Sequence, residues 1–418
     1  MLKKLIFKLN LKSLRRWMPL VLLALFSLFL SLNFIFFEYA LSAKLSPLTK
    51  LVLLLPFNIL IILITEISFR SLYKLVKKKK YQSIKKINIE DLYHVPHPFL
   101  TAVYKKNSVG QKEMPVFYPL NKDKKFHFPL SKTNNEGFMD GEDGSRDIVY
   151  PKPKNEKRII CLGASTTGNY IKYKNNVSTY PIELEKLFSK ESPQENIKVI
   201  NCGFGGWTSA ELLINFVLKV FSYEPDIIII YHGHNDIPAY LTPNFEIDYS
   251  HSRKNFAFEY SKFRSNRFIP DIPLAIYNFL ALIIFKNWNP RISLGEAISE
   301  NSPNYESEFK GLNIYERNLE HIIKICTNSD IHVVLSSFAH FLHEDIKDSK
   351  IHQKIRSGIE KENIVTKNLA DKYKLSYVDN FNLIPSEEKY FVDSIHFSPD
   401  GMKSIAKNFY YEISKNLL

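Results

Sequence analysis

The stretch RIICLGASTTG (158–168) decides the fold. Its apolar residues are consecutive rather than alternating, as in a strand covered on both faces. The run stops at Gly163, and Ala164-Ser165-Thr166-Thr167-Gly168 then has the small and hydroxylated residues of a turn into a helix. Four more runs of this kind follow downstream: IKVINC (197–202), DIIIIYH (226–232), IHVVLSS (331–337) and LSYVD (375–379). Between them lie helix candidates: TYPIELEKLFSK, SAELLINFVLKVF, YERNLEHIIKIC and the stretch after Lys361. The simplest architecture is an α/β domain, a βαβ series of five parallel strands with helices on both faces. Ligands of such sheets bind beyond the carboxyl ends of the strands, so the residues just after each strand are the functional candidates.

Ser165 follows the first strand. A serine in a strand-to-helix turn either caps the helix or presents a nucleophilic hydroxyl over the sheet edge, its own N–H aimed at a developing oxyanion. No Gly-Lys-Ser/Thr follows, so a phosphate loop is disfavoured. Gly203, Gly205 and Gly206 follow the second strand, where one N–H could serve an oxyanion or the glycines could simply make a tight turn. After the third strand come Gly233-His234-Asn235-Asp236, and the Asn235 carboxamide is either an oxyanion donor or an Asx turn. A metal at His232, His234 and Asp236 is the competing chemistry there, without a further ligand at suitable spacing. After the fifth strand come Asp393 and His396, just ahead of Ser398-Pro399, a good N-cap and N1 pair for a final amphipathic helix. Three residues apart in a turn, the carboxylate could orient the imidazole that deprotonates a serine; the alternative is a surface histidine. A Ser, a Gly, an Asn and an Asp-x-x-His thus all fall where one site would gather them.

Upstream the chain is different. Residues 17–37 are uncharged, long enough for a helix to cross a bilayer, and longer than the apolar core of a cleavable signal peptide. Residues 51–69 form a second apolar run containing Pro56, Asn58 and Glu66, which either spans or lies at the interface; spanning is favoured. Residues 1–73 therefore read as a membrane hairpin, 74–129 as a basic linker and irregular lead-in, and 130–418 as the α/β domain. An insertion at about 240–305 carries IPDIPLAIYNFLALIIF (269–285), either a buried helix or a cap over the site. The net charge of +13 is confined to residues 1–90, which hold 16 basic and 3 acidic side chains; the rest of the chain is balanced. This disfavours a nucleic-acid-binding body and, with lysines outside both apolar runs, favours two cytoplasmic ends. The cluster 74–86 is a stop-transfer flank or a binding site for anionic lipid head groups. Cys161, Cys202 and Cys326 match neither a disulfide framework nor a zinc site.

GASTTG, NCGFGGWTS, PDIIIIYHGHND and VDSIHFSPDG resemble, in order, the four sequence blocks of the SGNH (GDSL-type) hydrolases. NNEGF (134–138) followed by RIICLGAST resembles the lead-in of bacterial members. The resemblance covers roughly residues 130–418 and implies a three-layer α/β/α, flavodoxin-like domain with a parallel five-stranded sheet. It implies Ser165 as nucleophile, His396 as general base and then acid, and Asp393 as the orienter of His396. It also implies an oxyanion hole of the Ser165 N–H, the Gly206 N–H and the Asn235 side chain, with no cofactor and no metal. Ala164 departs from the family's Gly-Asp-Ser, whose Asp is outside the catalytic set. The expected protein is a membrane-anchored serine esterase or acyltransferase of the bacterial inner membrane, acting on a lipid or an O-acylated glycan. The competing expectation is a catalytically silent scaffold or binding subunit of an envelope assembly.

Overall fold

The structure is a computed structural model. It describes residues 94–110, 132–241, 245–249 and 309–416, less single positions within them, with the short strands at 114–115 and 126–128 and a few isolated positions before residue 50. Apart from Ile35, both N-terminal apolar runs and the insertion run 269–285 lie outside the described residues. Among the described residues no helix is long and apolar enough to cross a membrane.

The five expected strands form one parallel sheet: β1 (Lys157–Gly163), β2 (Ile197–Asn201), β3 (Ile227–Tyr231), β4 (His332–Ser336) and β5 (Ser376–Val378). Their spatial order is β2-β1-β3-β4-β5, so the chain reverses direction across the sheet between β2 and β3. Ile159–Leu162 and Ile227–Tyr231 are almost fully buried, the double-sided covering that their unbroken apolar runs imply. Gly163 registers with Tyr231 and Cys161 with Asn201. The segments leaving β1, β2 and β3 therefore emerge side by side at one sheet edge, the switch point of a doubly wound fold.

Right-handed crossovers then sort the helices. Helix α2 (Tyr180–Glu191) packs against the C-terminal helix α8 (Pro399–Asn416), while α5 (Leu312–Thr327) packs against α3 (Ser209–Leu218) and α6 (Lys350–Tyr373). The short helices α1 (Ser165–Gly168), α4 (Asp236–Tyr240) and α7 (Asn380–Leu383) follow β1, β3 and β5 directly. Helix α3 starts at Thr208, whose N–H and hydroxyl both donate to Glu211 Oε2 at 2.9 and 2.6 Å, so the residue three positions on satisfies an otherwise orphaned donor. Helix α8 starts as its sequence indicates, Ser398 Oγ accepting from the Gly401 N–H at 3.2 Å. Helix α6 begins at Lys350, well before the expected stretch after Lys361, because its first turns carry a thin apolar stripe of Ile351, Ile355 and Ile359 amid polar residues.

The core also reaches further upstream than the expected boundary at residue 130. Leu100, Ala102 and Tyr104 are buried, and Trp207 Nε1 donates to Ala102 O at 3.1 Å. The loop before β1, together with α2, also protects the exposed edge of β2. Asp140 Oδ1 accepts from Asn201 N at 2.9 Å, Glu185 Oε2 accepts from Val199 N at 2.7 Å, and Arg146 Nη2 donates to Val199 O. Side chains thus occupy backbone groups that would otherwise offer a pairing edge. Periodicity could not reveal this role, because the contacts are made by irregular loops and by single polar residues.

Candidate active site

Ser165 opens α1, the single turn that follows β1. That turn is held against the β2 loop by Asn201, whose Nδ2 donates to Thr167 O at 3.0 Å while its Oδ1 accepts from Gly203 N at 3.0 Å. The approach is close enough to demand glycine on both sides. A Cβ on Gly168 would lie 2.5 Å from Gly203 O, and one on Gly203 would lie 2.5 Å from Gly168 N. Asn201 was not singled out from the sequence, although its place in NCGFGGWTS, next to the glycines, was the available signal.

The loop ahead of α8 brings His396 to Ser165. His396 Nε2 lies 2.9 Å from Ser165 Oγ, and His396 Nδ1 lies 2.7 Å from Asp393 Oδ2. Asp393 Oδ1 accepts from the N–H groups of Ile395 and His396 at 2.9 and 2.7 Å, so the carboxylate is fixed by its own turn. Burial works to raise the Asp393 carboxyl, but the charge of His396 and these hydrogen bonds outweigh it and hold the carboxyl below its usual range. Burial likewise works to lower His396, and the Asp393 carboxylate outweighs it, so the imidazole stands above its usual 6.5. Each side chain keeps 15% of its surface exposed, enough for a substrate to reach the pair.

Asn235 and Gly206 are linked across two loops. Asn235 Nδ2 donates to Trp207 O at 2.9 Å, the carbonyl immediately after Gly206, leaving its second amide hydrogen for another acceptor. Gly206 has a φ of +84° and is exposed, with nothing within 4 Å of the position a Cβ would take. Backbone conformation rather than crowding therefore selects glycine here. His234 has a φ of +70°, uncommon for a residue with a side chain, and its N–H donates to Glu362 Oε2 at 3.1 Å. Burial, then the neighbouring charge of His396, pushes the His234 imidazole down to about 4, so it is neutral at pH 7. Glu362 is wholly buried, and burial followed by the charge of Asp236 raises its carboxyl well above the usual range. It sits in the middle of α6, far along the chain from any strand end, where nothing in the sequence points to it.

His232 and Asp236 form a separate pair. His232 Nε2 lies 2.7 Å from Asp236 Oδ2, both side chains being completely buried. The same carboxylate accepts from Ser209 N, Ser209 Oγ and Tyr249 OH at 2.9, 2.6 and 2.6 Å. Asp236 is thus engaged on both oxygens within the protein, while His234 lies beside His396 and Asp393. Among the described residues no three metal-binding side chains stand together.

A doubly wound parallel sheet thus carries a hydrogen-bonded Ser–His–Asp chain beyond the carboxyl ends of its strands, where α/β domains of this kind bind their ligands. The chain belongs to the GDSL-like lipase/acylhydrolase family, whose model matches residues 161–403, more than half of its length. It is an ester-bond hydrolase of that family. No curated protein matches the sequence. Among solved structures, an acetyl-xylooligosaccharide esterase from Geobacillus stearothermophilus is 16% identical with a TM-score of 0.38, over 62% of this chain and 94% of that one. A putative GDSL-like lipase from Parabacteroides merdae is 13% identical with a TM-score of 0.38, over 63% and 99% of the two chains. A GDSL-like lipase from Bacteroides thetaiotaomicron is 16% identical with a TM-score of 0.36, over 64% and 93%. Likeness this distant carries no inference about substrate.

Proposed function

We propose that the protein is a membrane-anchored serine esterase in which Ser165, His396 and Asp393 form the catalytic triad. The supporting observation is the unbroken hydrogen-bonded line from Asp393 Oδ2 through both ring nitrogens of His396 to Ser165 Oγ. In this reading Asp393 holds the Nδ1–H tautomer, and the unprotonated Nε2 takes the Ser165 proton as Oγ attacks the ester carbonyl. The carbonyl electron pair moves onto oxygen, where the N–H groups of Ser165 and Gly206 and the free amide hydrogen of Asn235 stabilise it. Collapse breaks the bond to the alcohol, which leaves with the proton from His396. Water, or another hydroxyl, then repeats the sequence on the acyl-enzyme.

The apolar runs 17–37 and 51–69 would anchor the enzyme as a hairpin, their lysine-rich outer flanks placing the catalytic domain on the cytoplasmic side. A phosphatase reporter fused after Lys86 should then be inactive; an active, exported reporter would overturn the hairpin. The substrate in this proposal is an ester of a lipid or an O-acylated glycan. A chain-length series of p-nitrophenyl esters, run on wild type and Ser165→Ala, tests both parts. Turnover that survives the substitution would refute the nucleophile, and the preferred chain length would separate short acetyl groups from lipid acyl chains.

A further inference from the structure

A cleft of about 440 Å³ opens between the lead-in and the turn that joins β2 to α3. It is distinct from the proposed catalytic centre, because Ser165, Asn235, Asp393 and His396 are absent from its lining. Its walls are aromatic: Tyr104, Phe138, Phe204 and Trp207, with Tyr104 and Trp207 both packed against Phe204 at centroid distances of 4.3 and 4.8 Å. At its rim Phe99 and Leu218 stand 65% and 58% exposed.

Two polar features break the apolar lining. Asn215 is only 3% exposed, yet its Nδ2 has no hydrogen-bond partner, a costly state for a buried amide. Lys106 and Lys219 both reach the same oxygen, Glu136 Oε2, at 3.2 and 3.3 Å, and Tyr223 OH donates to it at 3.2 Å. Two ammonium groups therefore share one carboxylate, leaving an excess positive charge beside the aromatic walls. Lys219 also lies 4.7 Å above the Phe138 ring. Asn215 and Lys219 are four residues apart along α3 and its C-cap, so their side chains are neighbours on one face.

We propose that this cleft binds an amphiphile with a single anionic head, a carboxylate or a phosphate. Asn215 Nδ2 and the Lys219 and Lys106 ammonium groups take the head, and the aromatic walls take the chain. The volume falls within the range of ordinary small-ligand pockets. Burial holds the Lys219 ammonium below its usual range against the charge of Glu136, so a second anion would relieve a cation that is only partly compensated. The head could belong to a free fatty acid, the kind of acid an acyl esterase releases, or to a phospholipid of the surrounding bilayer.

The test is photolabelling of the full chain in neutral phosphatidylcholine nanodiscs with three diazirine probes of one chain length: decanoic acid, decyl phosphate and decanol, followed by peptide mapping. Labelling by an anionic probe should map to residues 95–106 and 204–219 and exceed labelling by the alcohol about tenfold, the scale of one charge-assisted hydrogen bond. A preference for the acid points to a free fatty acid, and a preference for the phosphate to a lipid head. Lys106→Glu, at a side chain 58% exposed and so outside the packed core, should lower the labelling by about the same factor, and Asn215→Leu should lower it too. Equal labelling by the alcohol, labelling confined to other peptides, or insensitivity to Lys106→Glu would overturn the proposal. Mapping does not require turnover, so the result stands apart from the fate of the Ser165 assignment.

Discussion

The domain contains two Ser, His and Asp clusters, and they are wired in opposite order. In one, His396 lies between Ser165 and Asp393, with hydrogen bonds of 2.9 and 2.7 Å. In the other, Asp236 lies between Ser209 and His232, at 2.6 and 2.7 Å. The residue types and distances nearly coincide, but a base must be in the middle for a serine to lose its proton. With the carboxylate in the middle, Ser209 and His232 both satisfy Asp236, and the cluster ties the β3 loop to the start of α3 and to α5, where Asn318 Nδ2 donates to Ser209 Oγ at 2.9 Å. Exposure follows the same division: the Asp393 and His396 side chains each keep 15% of their surface open, whereas those of Asp236 and His232 keep none.

The sharpest way to break this comparison is to remove each serine. Ser165→Ala should lower kcat by about four to six orders of magnitude, the scale of triad deletions. Ser209→Ala should leave kcat within a few-fold of wild type and lower thermal stability. Asp393→Asn should cost about four orders in kcat by losing control of the tautomer. It should also move the pH profile. With His396 raised above 6.5, kcat/KM climbs as pH passes through that raised value, because only neutral imidazole can accept the proton. Without the Asp393 charge only burial acts on His396, so the rising limb should shift to lower pH.

Smaller effects sharpen the division. Asn235→Ala should reduce kcat by about two to three orders, as for the loss of one oxyanion donor. Asp236→Ala should act on stability instead, by about 3–5 kcal/mol in urea melts, because it removes the middle of a fully buried polar network. Tyr249→Phe removes one donor from that carboxylate and should cost about 1.5–3 kcal/mol with kcat nearly unchanged. A kcat loss of several orders in well-folded Asp236→Ala protein would show that the two clusters are not divided as described.

The Ser165 cluster is readable in the sequence and the Asp236 cluster is not, for physical reasons. Ser165 and Asn235 follow buried strands directly, Asp393–His396 stand just ahead of a helix marked by Ser398-Pro399, and apolar runs of strand length are the strongest signal a sequence carries. Asp236 and His232 also follow β3, but their partners Ser209, Tyr249 and Asn318 lie on an N-terminal helix turn, an insertion and a distant helix, with no periodicity to connect them. His232 and His234 look in the sequence like a possible metal pair; the fold sends His232 down to Asp236 and His234 toward His396. Residues 74–129 read as a linker and irregular lead-in because their strands are only two or three residues long, and the role of Asp140 and Arg146 at the edge of β2 is as hard to read because it rests on single side chains.

The most direct test is labelling of the detergent-solubilised full chain with a fluorophosphonate probe, mapped to its serine, in wild type, Ser165→Ala and Ser209→Ala. The account predicts modification at Ser165 in wild type and Ser209→Ala protein, and none in Ser165→Ala. Modification at Ser209, or labelling that persists in Ser165→Ala, would contradict it.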